Sequence, residues 1–249
     1  MISEHKLINV AKKAVKTTFH KLGKSKKSYK NSYKLKSIPR EIKSDIDVIC
    51  EKIILEELKK TSIRILSEET EDVNFDEHND FLWIVDPLDG TVNYLRNISH
   101  CAISIALYKN KKPIFGVIGE YPSGSISWGG PKIGSYTNSQ KITVSNISRK
   151  SNSILCTGFP ARYKFNSSNE KKLFKLASGF AKVRMLGSAS ISILKVAQGS
   201  AEYYDEKNIM IWDIAAGIAI LCGSGGKYSM LNGDHPNSFN VKATNGLLK

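Results

Sequence analysis

The fold is decided by the stretch Trp83-Ile84-Val85-Asp86-Pro87-Leu88-Asp89-Gly90-Thr91-Val92-Asn93-Tyr94, where an apolar run ends at two acidic residues. The run begins at Phe81 and is typical of a buried strand. Pro87 fixes its own φ and has no amide hydrogen, so the strand is predicted to end at Val85. Gly90 and Thr91 then favour a tight turn.

Asp86 and Asp89 allow two interpretations. Carboxylates at a strand-ending turn, with backbone carbonyls between them, are good ligands for a hard divalent cation. The same two acids could instead cap the turn by accepting hydrogen bonds from loop amides. The local sequence leaves both interpretations open, and the rest of the chain has to decide between them.

The remaining pattern predicts an α+β fold. Helical spacing of apolar residues predicts one helix over residues 3–22, ended by Gly23, and a second over residues 45–60. A short strand at 63–66 and a meander of strands at 101–108, 113–121 and 126–128 have antiparallel character. The second half is predicted to alternate strands (153–158, 182–186, 201–204) with helices (168–180, 188–198, 212–222). No internal repeat is visible.

The composition is that of an ordinary globular chain. Its 249 residues suffice for one large or two small domains, and 41% are hydrophobic. No apolar run approaches the roughly 20 residues that span a bilayer, and the N-terminal residues lack the pattern of a secretory signal, so the predicted location is the cytoplasm. The cysteines are far apart without a zinc-binding spacing, and are expected to be reduced and mostly buried: Cys50, Cys101, Cys156 and Cys222.

The net charge of +14 is unevenly distributed. Residues 21–36 contain lysines and no acid, whereas residues 68–80 are strongly acidic. A basic surplus favours anionic partners such as phosphorylated metabolites, nucleic acid or a membrane surface, without distinguishing among them. A solvated lysine-rich surface with no specific partner is the alternative.

Two glycine-containing segments could hold phosphate. Gly187, Ser188 and Ala189 lie where a predicted strand meets a helix N-terminus, a position suited to phosphate oxygens, although Ser188 could equally be only an N-cap. Residues 223–227 lack the spacing of a phosphate-binding loop and are predicted to end the preceding helix.

Four motifs in the right order resemble those of the inositol monophosphatase family of metal-dependent phosphatases. Residues 86–94 are similar to its DP[IL]DGTxN[FY] signature, and residues 212–217 to its WDxAAG signature. Glu68 and Glu69 match its GEE motif with Ser67 in place of the glycine, and residues 36–39 and 47–51 match its lysine-bearing loop and DxxxE helix. The resemblance covers nearly the whole chain, which predicts one domain over residues 1–249.

A haloacid-dehalogenase phosphatase is excluded by the spacing of the acids. In that class the nucleophilic aspartate precedes a second aspartate by two residues, and here Pro87 occupies the nucleophile's position before Asp89. A phosphoaspartyl intermediate at this turn is therefore not expected.

The resemblance implies a fold, a cofactor and metal ligands. The family fold is a layered αβαβα sandwich of the inositol monophosphatase and fructose-1,6-bisphosphatase type. Two or three Mg²⁺ ions are implied, since an anionic phosphate ester would otherwise be repelled by the carboxylates. The implied ligands are Glu68, Asp86, the Leu88 carbonyl, Asp89 and Asp213, with Asp47 at a weaker third ion.

The resemblance also implies catalytic and substrate-binding residues. Thr91 and Glu68 would orient the attacking water, with Asp47 as a further catalytic residue. The implied substrate contacts are Lys36, Asp89, Gly90, Thr91, Gly187, Ser188, Ala189, Glu206 and Asp213. Asp205 competes with Glu206 for the last acidic substrate contact, because it directly follows Tyr203 and Tyr204. Lys36 would sit on a loop over the metals, or be a solvated lysine without a role.

The expected function is Mg²⁺-dependent hydrolysis of a small phosphorylated metabolite, with inositol monophosphate as the first substrate and inhibition by Li⁺. The alternatives on the same site are 3′(2′),5′-bisphosphate nucleotidase, fructose-1,6-bisphosphatase and histidinol-phosphatase activity. Residues 92–94 resemble the inositol branch more than the nucleotidase branch. The family also implies a homodimer. An alternative of another class is an RNA-binding regulatory protein that retains the fold.

Overall fold

The computed structural model describes residues 3–25, 33–35, 42–70, 74–75, 80–161, 163 and 165–248. Within them the α-helices are α1 (Glu4–Ser25), α2 (Asp45–Leu58), α3 (Thr91–Arg96), α4 (Ser167–Ala177), α5 (Ala189–Ala197) and α6 (Ile211–Gly223). The first helix continues past Gly23, so the prediction that this glycine ends it was wrong. A Cβ at Gly23 would have nothing within 4 Å, and its φ is not positive, so it has no need of a glycine conformation.

The strands form a hairpin and two larger sheets. They are β1 (Tyr33–Leu35), β2 (Ile42–Ser44), β3 (Arg64–Ser67), β4 (Phe81–Asp89), β5 (Cys101–Lys109), β6 (Lys112–Tyr121), β7 (Ser125–Gly130), β8 (Gly134–Thr137), β9 (Gln140–Lys141), β10 (Ile154–Thr157), β11 (Lys182–Arg184), β12 (Tyr203–Met210), β13 (Lys227–Asn232) and β14 (Ser238–Thr244). The seven-stranded sheet has the order β3-β4-β5-β6-β7-β8-β9 and is antiparallel except for β3 with β4. The five-stranded sheet has the order β11-β10-β12-β14-β13, and β10 is parallel to both of its neighbours.

Strand β4 runs through the proline that was predicted to end it. It pairs with β5 from Phe81 to Asp89, and the register shifts between Asp86, opposite Ser104, and Asp89, opposite Ala102. The extra residue makes a bulge, where Pro87 need not donate a ladder hydrogen bond. The prediction that the strand ends at Val85 was therefore wrong, and both acids lie on the strand itself.

The elements stack in five layers, which confirms the αβαβα expectation. Trp83 and Val85 face α1 and α2, whereas Ile84 faces the layer that contains α5 and α6. That central layer separates the two sheets, and its other face packs on residues of β12 and β14. Helix α4 is the outermost layer, and none of its own residues is buried.

Helix α6 is attached to the seven-stranded sheet by hydrogen bonds from side chains. Ser104 Oγ donates to the Trp212 carbonyl at 3.2 Å, Tyr108 OH to that of Ala215 at 3.2 Å, and Ser135 Oγ to that of Ile220 at 2.6 Å. These bonds set the height of α6 over the sheet, which positions the acid in its first turn.

Several strands at or near the edges of the two sheets were not predicted from the sequence. Strands β8, β9, β13 and β14 were not predicted, and β12 is longer than the expected 201–204. Most of β13 is exposed, so its sequence lacks the apolar pattern that identifies a buried strand. The predicted state of the cysteines is confirmed, since none of the four forms a disulfide and three are buried. No helix in the described parts of the chain is long and apolar enough to cross a membrane.

We expect Gly116→Ala to destabilise the protein by about 1–3 kcal/mol, because a Cβ there would overlap the Ala216 carbonyl of α6. The measurement is the free energy of unfolding in denaturant. Gly23→Ala is the matched control: it lies in helix α1 with open space around it, and should stabilise by roughly 0.5–1 kcal/mol. Equal effects of the two substitutions would contradict this account of the packing.

Candidate metal and phosphate site

Three carboxyl groups meet where the seven-stranded sheet contacts α6. Asp86 and Asp89 lie at the end of β4, and Asp213 lies in the first turn of α6. One oxygen from each falls within 4.8 Å of the others. The structure thus brings together two residues of the first motif and one acid more than 120 positions later in the sequence, a spacing typical of ligands that share a cation.

Asp86 is the most deeply buried member of this carboxylate cluster, with 1% of its surface exposed. Its Oδ1 accepts a hydrogen bond from the Leu88 amide at 2.9 Å. Its Oδ2 is buried and receives no hydrogen bond from any described residue. An unsatisfied buried carboxylate oxygen is costly, and binding to a cation would satisfy it.

Asp89 is held by the N-terminus of α5. Its Oδ2 accepts hydrogen bonds from Ser188 Oγ at 2.6 Å and from the Ser190 amide at 2.7 Å. Ser188 is also the N-cap of α5, because its Oγ accepts a hydrogen bond from the Ile191 amide at 3.2 Å. The N-cap role that was considered for Ser188 is therefore present. The helix dipole further favours a negative charge at this position.

Asp213 and Ser190 connect α5 to α6. The Met210 amide donates to Asp213 Oδ2 at 3.3 Å, and Ser190 Oγ donates to the Asp213 carbonyl at 2.8 Å. Ser190 was not among the predicted site residues. Its signal in the sequence is a serine among the apolar residues of a predicted helix, and the structure shows that it is completely buried.

Glu68 lies next to Asp86 across the parallel strand pair. Its amide donates to the Val85 carbonyl at 3.1 Å, and its carboxylate is among the charges that raise the pKa of Asp86. Ser67, which stands in place of the motif's glycine, is completely buried, and its hydroxyl has no described hydrogen-bond partner.

Thr91 joins Asp47 to the same turn. Its Oγ1 lies 2.8 Å from Asp47 Oδ1 and 3.1 Å from the Leu88 carbonyl. Asp47 also caps α2, since the Ser44 amide donates to its Oδ2 at 2.8 Å. Burial raises the pKa of Asp47 to about 7, more than the hydrogen bonds from Thr91 and Ser44 lower it.

The structure separates Glu206 from Asp205, which the sequence left open. The two are successive residues of β12, so they point to opposite faces of the five-stranded sheet. Glu206 lines a cavity of about 160 Å³ together with Asp89, Ser188 and Asp213. Asp205 does not line this cavity, but it lines a second one of about 230 Å³ beside α4 together with Lys242, and Glu206 reaches that cavity as well.

Two glycines and an asparagine shape the backbone beside Asp89. Gly90 has φ of 86° and Gly187 has φ of 73°, a region that other residues rarely adopt. A Cβ at Gly90 would lie 2.9 Å from the His100 carbonyl oxygen. Asn93 Nδ2 donates to the carbonyls of His100 at 2.9 Å and Leu186 at 2.8 Å, and so ties both glycine segments together. Asn93 belongs to the first motif, but no role was predicted for it.

The electrostatics of the metal-free site are dominated by burial and by like charge. Burial is the main cause of the raised pKa of Asp86, and Glu68, Asp89 and Asp213 add to it. The pKa of Asp89 is also raised by burial, against the opposing hydrogen bonds from Ser188 and Ser190. Burial followed by the charge of a neighbouring acid raises the pKa of Asp213 and of Glu206 to about 8.

The donor set fits a hard divalent cation. Such ions prefer carboxylate and carbonyl oxygens as ligands. The buried Oδ2 of Asp86 accepts no hydrogen bond from the described residues, and a cation would take the place of the missing donor. Gly187, Ser188 and Ala189 line the same cavity as Asp213. Lys36 lies outside the described residues, so its predicted contact stays a prediction.

Fold and site together define a layered α+β protein with a buried carboxylate cluster that suits divalent metal. The sequence model of the inositol monophosphatase family matches residues 3–248. The chain therefore belongs to the inositol monophosphatase family.

Individual relatives are similar at moderate identity. "Nus factor SuhB" of Xylella fastidiosa is 34% identical over 186 residues, which cover 74% of this chain and 66% of that protein. "Phosphatase IMPL1, chloroplastic" of Arabidopsis thaliana is 32% identical over 221 residues, covering 84% and 59%. The matches thus span less than two thirds of these two relatives' own lengths. A solved inositol monophosphatase from Anabaena (Nostoc) superposes with a TM-score of 0.81 at 27% identity, covering 98% of this chain and 92% of that one.

We expect the metal-free protein to lose stability as pH rises from about 5 to 8. The raised pKa values mean that the folded chain holds more protons than the unfolded chain, whose aspartates titrate near 4. Stability is therefore present at low pH and lost as pH rises through the folded pKa of about 8 for Asp213. Mg²⁺, which binds the folded state, should raise the melting temperature more at pH 8 than at pH 5.

The control for this measurement is Asp86→Asn, which removes one buried charge. Its melting temperature without metal should fall less between pH 5 and 8, and its Mg²⁺-induced shift should be smaller. A Mg²⁺ shift of equal size at both pH values, or unchanged by the substitution, would contradict a cation site at this cluster.

Proposed function

We propose that this protein is a Mg²⁺-dependent phosphomonoesterase that transfers the phosphoryl group of a small metabolite directly to water. The observation that carries the proposal is the buried cluster of Asp86, Asp89 and Asp213, with its unsatisfied Asp86 oxygen. Membership of the inositol monophosphatase family supports the same reaction. Inositol monophosphate is the first substrate to test. The nucleotidase, fructose-1,6-bisphosphatase and histidinol-phosphatase alternatives belong in the same panel.

The carboxylates of Glu68, Asp86, Asp89 and Asp213, with the Leu88 carbonyl, would hold two ions, and Asp47 a weaker third. When bound, such ions neutralise phosphate oxygens, acidify water and stabilise the leaving oxygen. The protein groups position these partners: Leu88 N orients Asp86, and Ser188 and Ser190 orient Asp89. Because Pro87 occupies the position of a nucleophilic aspartate, attack by water is expected.

Thr91, Asp47 and Glu68 are proposed to orient the attacking water and accept its proton. Thr91 Oγ1 is hydrogen-bonded to Asp47 at 2.8 Å, which gives a path for a proton from a water beside Thr91 to the Asp47 carboxylate. The Leu88 carbonyl at 3.1 Å accepts from the same hydroxyl when Asp47 is protonated. The Ser190 and Ile191 amides of α5 are bound by Asp89 and Ser188, so phosphate oxygens would approach beside the turn at residues 187–189, where Gly90 and Gly187 allow close backbone approach.

Two expectations, one about oligomeric state and one about inhibition, come from the family alone. A homodimer and inhibition by Li⁺ are expected, and each is open to a simple measurement by sedimentation or by titration of activity. An RNA-binding regulatory role is the competing function, supported by the +14 charge and by the name of the Xylella relative. Binding of RNA that weakens steeply with salt, together with no hydrolysis of any ester, would favour that role.

We expect phosphate release from a panel of monoesters to require Mg²⁺ and to fall at least about 100-fold in Asp89→Asn, since even outer metal contacts contribute 10–100-fold. The readout is inorganic phosphate after removal of metal and its replacement. Thermal unfolding of the variant checks that it is folded. If wild type releases no phosphate from any ester, or Asp89→Asn is as active as wild type, the enzyme proposal fails.

Glu206→Gln and Asp205→Asn form a matched pair that tests the substrate acid. We expect Glu206→Gln to raise KM several-fold, because Glu206 lines the cavity with Asp89 and Asp213. Asp205→Asn should leave kcat and KM within about two-fold, because Asp205 is only partly buried and does not line the cavity that holds Asp89 and Asp213. The reverse result would place the substrate on the α4 side of the sheet.

A further inference from the structure

Gly158 lies beside Glu206 across two parallel strands. It directly follows β10, and the register pairs Thr157, the last residue of that strand, with Asp205 of β12. One step further along the same register places Gly158 next to Glu206. Thr157 Oγ1 donates to the Asp205 carbonyl at 2.6 Å, which holds the two strands together at this point. Residues in register on neighbouring strands project to the same side, so positions 158 and 206 share one side of the sheet.

The carboxyl group of Glu206 occupies the space that a side chain at position 158 would need. The three atoms that a Cβ at Gly158 would meet first all belong to Glu206: it would overlap Oε1 and lie 3.1 Å from Cδ and 3.5 Å from Oε2. The φ of Gly158 is not positive, so the backbone conformation does not require a glycine here. What the glycine provides is therefore room for the Glu206 carboxyl group.

Gly158 and Glu206 both line two cavities, one of about 160 Å³ that contains Asp89 and Asp213, and one of about 230 Å³ beside α4. Burial and then the negative charges of Asp213 and Asp89 raise the pKa of Glu206, so its carboxylate is repelled from the first cavity. The other charged residues of the second cavity are three lysines and one acid: Lys172, Lys207, Lys242 and Asp205. A Glu206 carboxylate that is displaced from its place should therefore move toward α4.

We propose that Gly158 is a positioning residue, whose missing side chain keeps the Glu206 carboxyl group on the wall of the cavity that contains Asp89 and Asp213. This inference rests on the proposed phosphatase function, in which Glu206 contacts the substrate. A methyl group at position 158 displaces the end of a flexible side chain, and the cavity beside α4 has room to receive it. Gly158→Ala should therefore disturb the substrate contact much more than the fold.

The first test is the kinetics of Gly158→Ala with the ester that wild type hydrolyses best. KM should rise several-fold, as in Glu206→Gln, and kcat should stay within about two-fold, because the carboxylate cluster is not touched. In the double variant Gly158→Ala with Glu206→Gln, KM should equal that of Glu206→Gln alone, because the same contact is already lost. An unchanged KM in Gly158→Ala, or two effects that multiply in the double variant, would overturn the proposal.

The matched control is Gly226→Ala, the same change at another crowded glycine whose φ is not positive. A Cβ at Gly226 would overlap Leu221 Cδ1 and lie 2.7 Å from the Thr244 carbonyl oxygen. Gly226 lines neither cavity, so this variant should have a lower melting temperature and an unchanged KM. An equal rise of KM in both variants would attribute the effect to crowding in general and would overturn the role of Gly158.

A stability measurement needs no substrate and so separates this inference from the proposed function. Glu206→Ala removes the carboxyl group that a side chain at position 158 would meet. Gly158→Ala should lower the melting temperature slightly in the wild-type background. In the Glu206→Ala background it should raise the melting temperature, because the space is open and alanine restricts the unfolded chain more than glycine does.

The two measurements together distinguish the possible failures. If no ester is hydrolysed but the two backgrounds respond differently to Gly158→Ala, the placement of Glu206 by Gly158 stands and the phosphatase proposal fails. If Gly158→Ala shifts the melting temperature equally in both backgrounds, Gly158 does not hold Glu206 in place, and the inference is overturned whatever the activity.

Discussion

Repulsion among the carboxyl groups of Asp86, Asp89 and Asp213 is the constraint on which the structure around the site depends. Three acids whose oxygens lie within 4.8 Å of one another inside a protein are unfavourable unless each is compensated. The chain compensates them separately, with the Leu88 amide for Asp86, the start of α5 for Asp89 and the Met210 amide for Asp213. These bonds fix the geometry but do not remove the repulsion, which is why the carboxyl pKa values are raised. A divalent cation would remove it, so we expect the folded site to be more stable with metal than without.

The same constraint explains why the central helices are attached so firmly. If α6 moved relative to the seven-stranded sheet, Asp213 would leave the cluster, and the cation site would lose one of its three walls. The hydroxyls of Ser104, Tyr108 and Ser135 bind successive carbonyls along α6 and prevent such movement. Ser190 then links α5 to α6 through the Asp213 carbonyl. These buried hydroxyls therefore act together to hold the helix that carries Asp213 in place.

Apolar periodicity predicted an α+β chain, and the resemblance carried by the ordered motifs predicted the layered fold and the members of the carboxylate cluster. It failed where long-range geometry decides. Pro87 was read as the end of β4, but a bulge opposite β5 accommodates it. Strands β13 and β14 lie at or beside an edge, and β13 lacks an apolar pattern. Asp205 and Glu206 are chemically alike, and the register of β12 against β14 determines which one faces the cavity. Asn93 bonds the nearby His100 carbonyl and the Leu186 carbonyl, which is 93 residues away, and no local pattern reveals the second bond.

The two ends of the cavity are built in different ways, and this difference bears on specificity. The carboxylates project from a central strand and a buried helix, so the core fixes their positions. Their proposed partner, the phosphoryl group, is common to all the candidate esters. Three further lining residues, Gly158, Phe159 and Pro160, come from the segment between β10 and α4, where the rings of Phe159, Tyr163 and Phe165 contact one another. Phe159 is exposed, so a substitution there would change the lining of the cavity without disturbing the carboxylates. The family motifs therefore account for the acidic end of the cavity, whereas the leaving alcohol in the proposed reaction depends on the residues that line the rest of it.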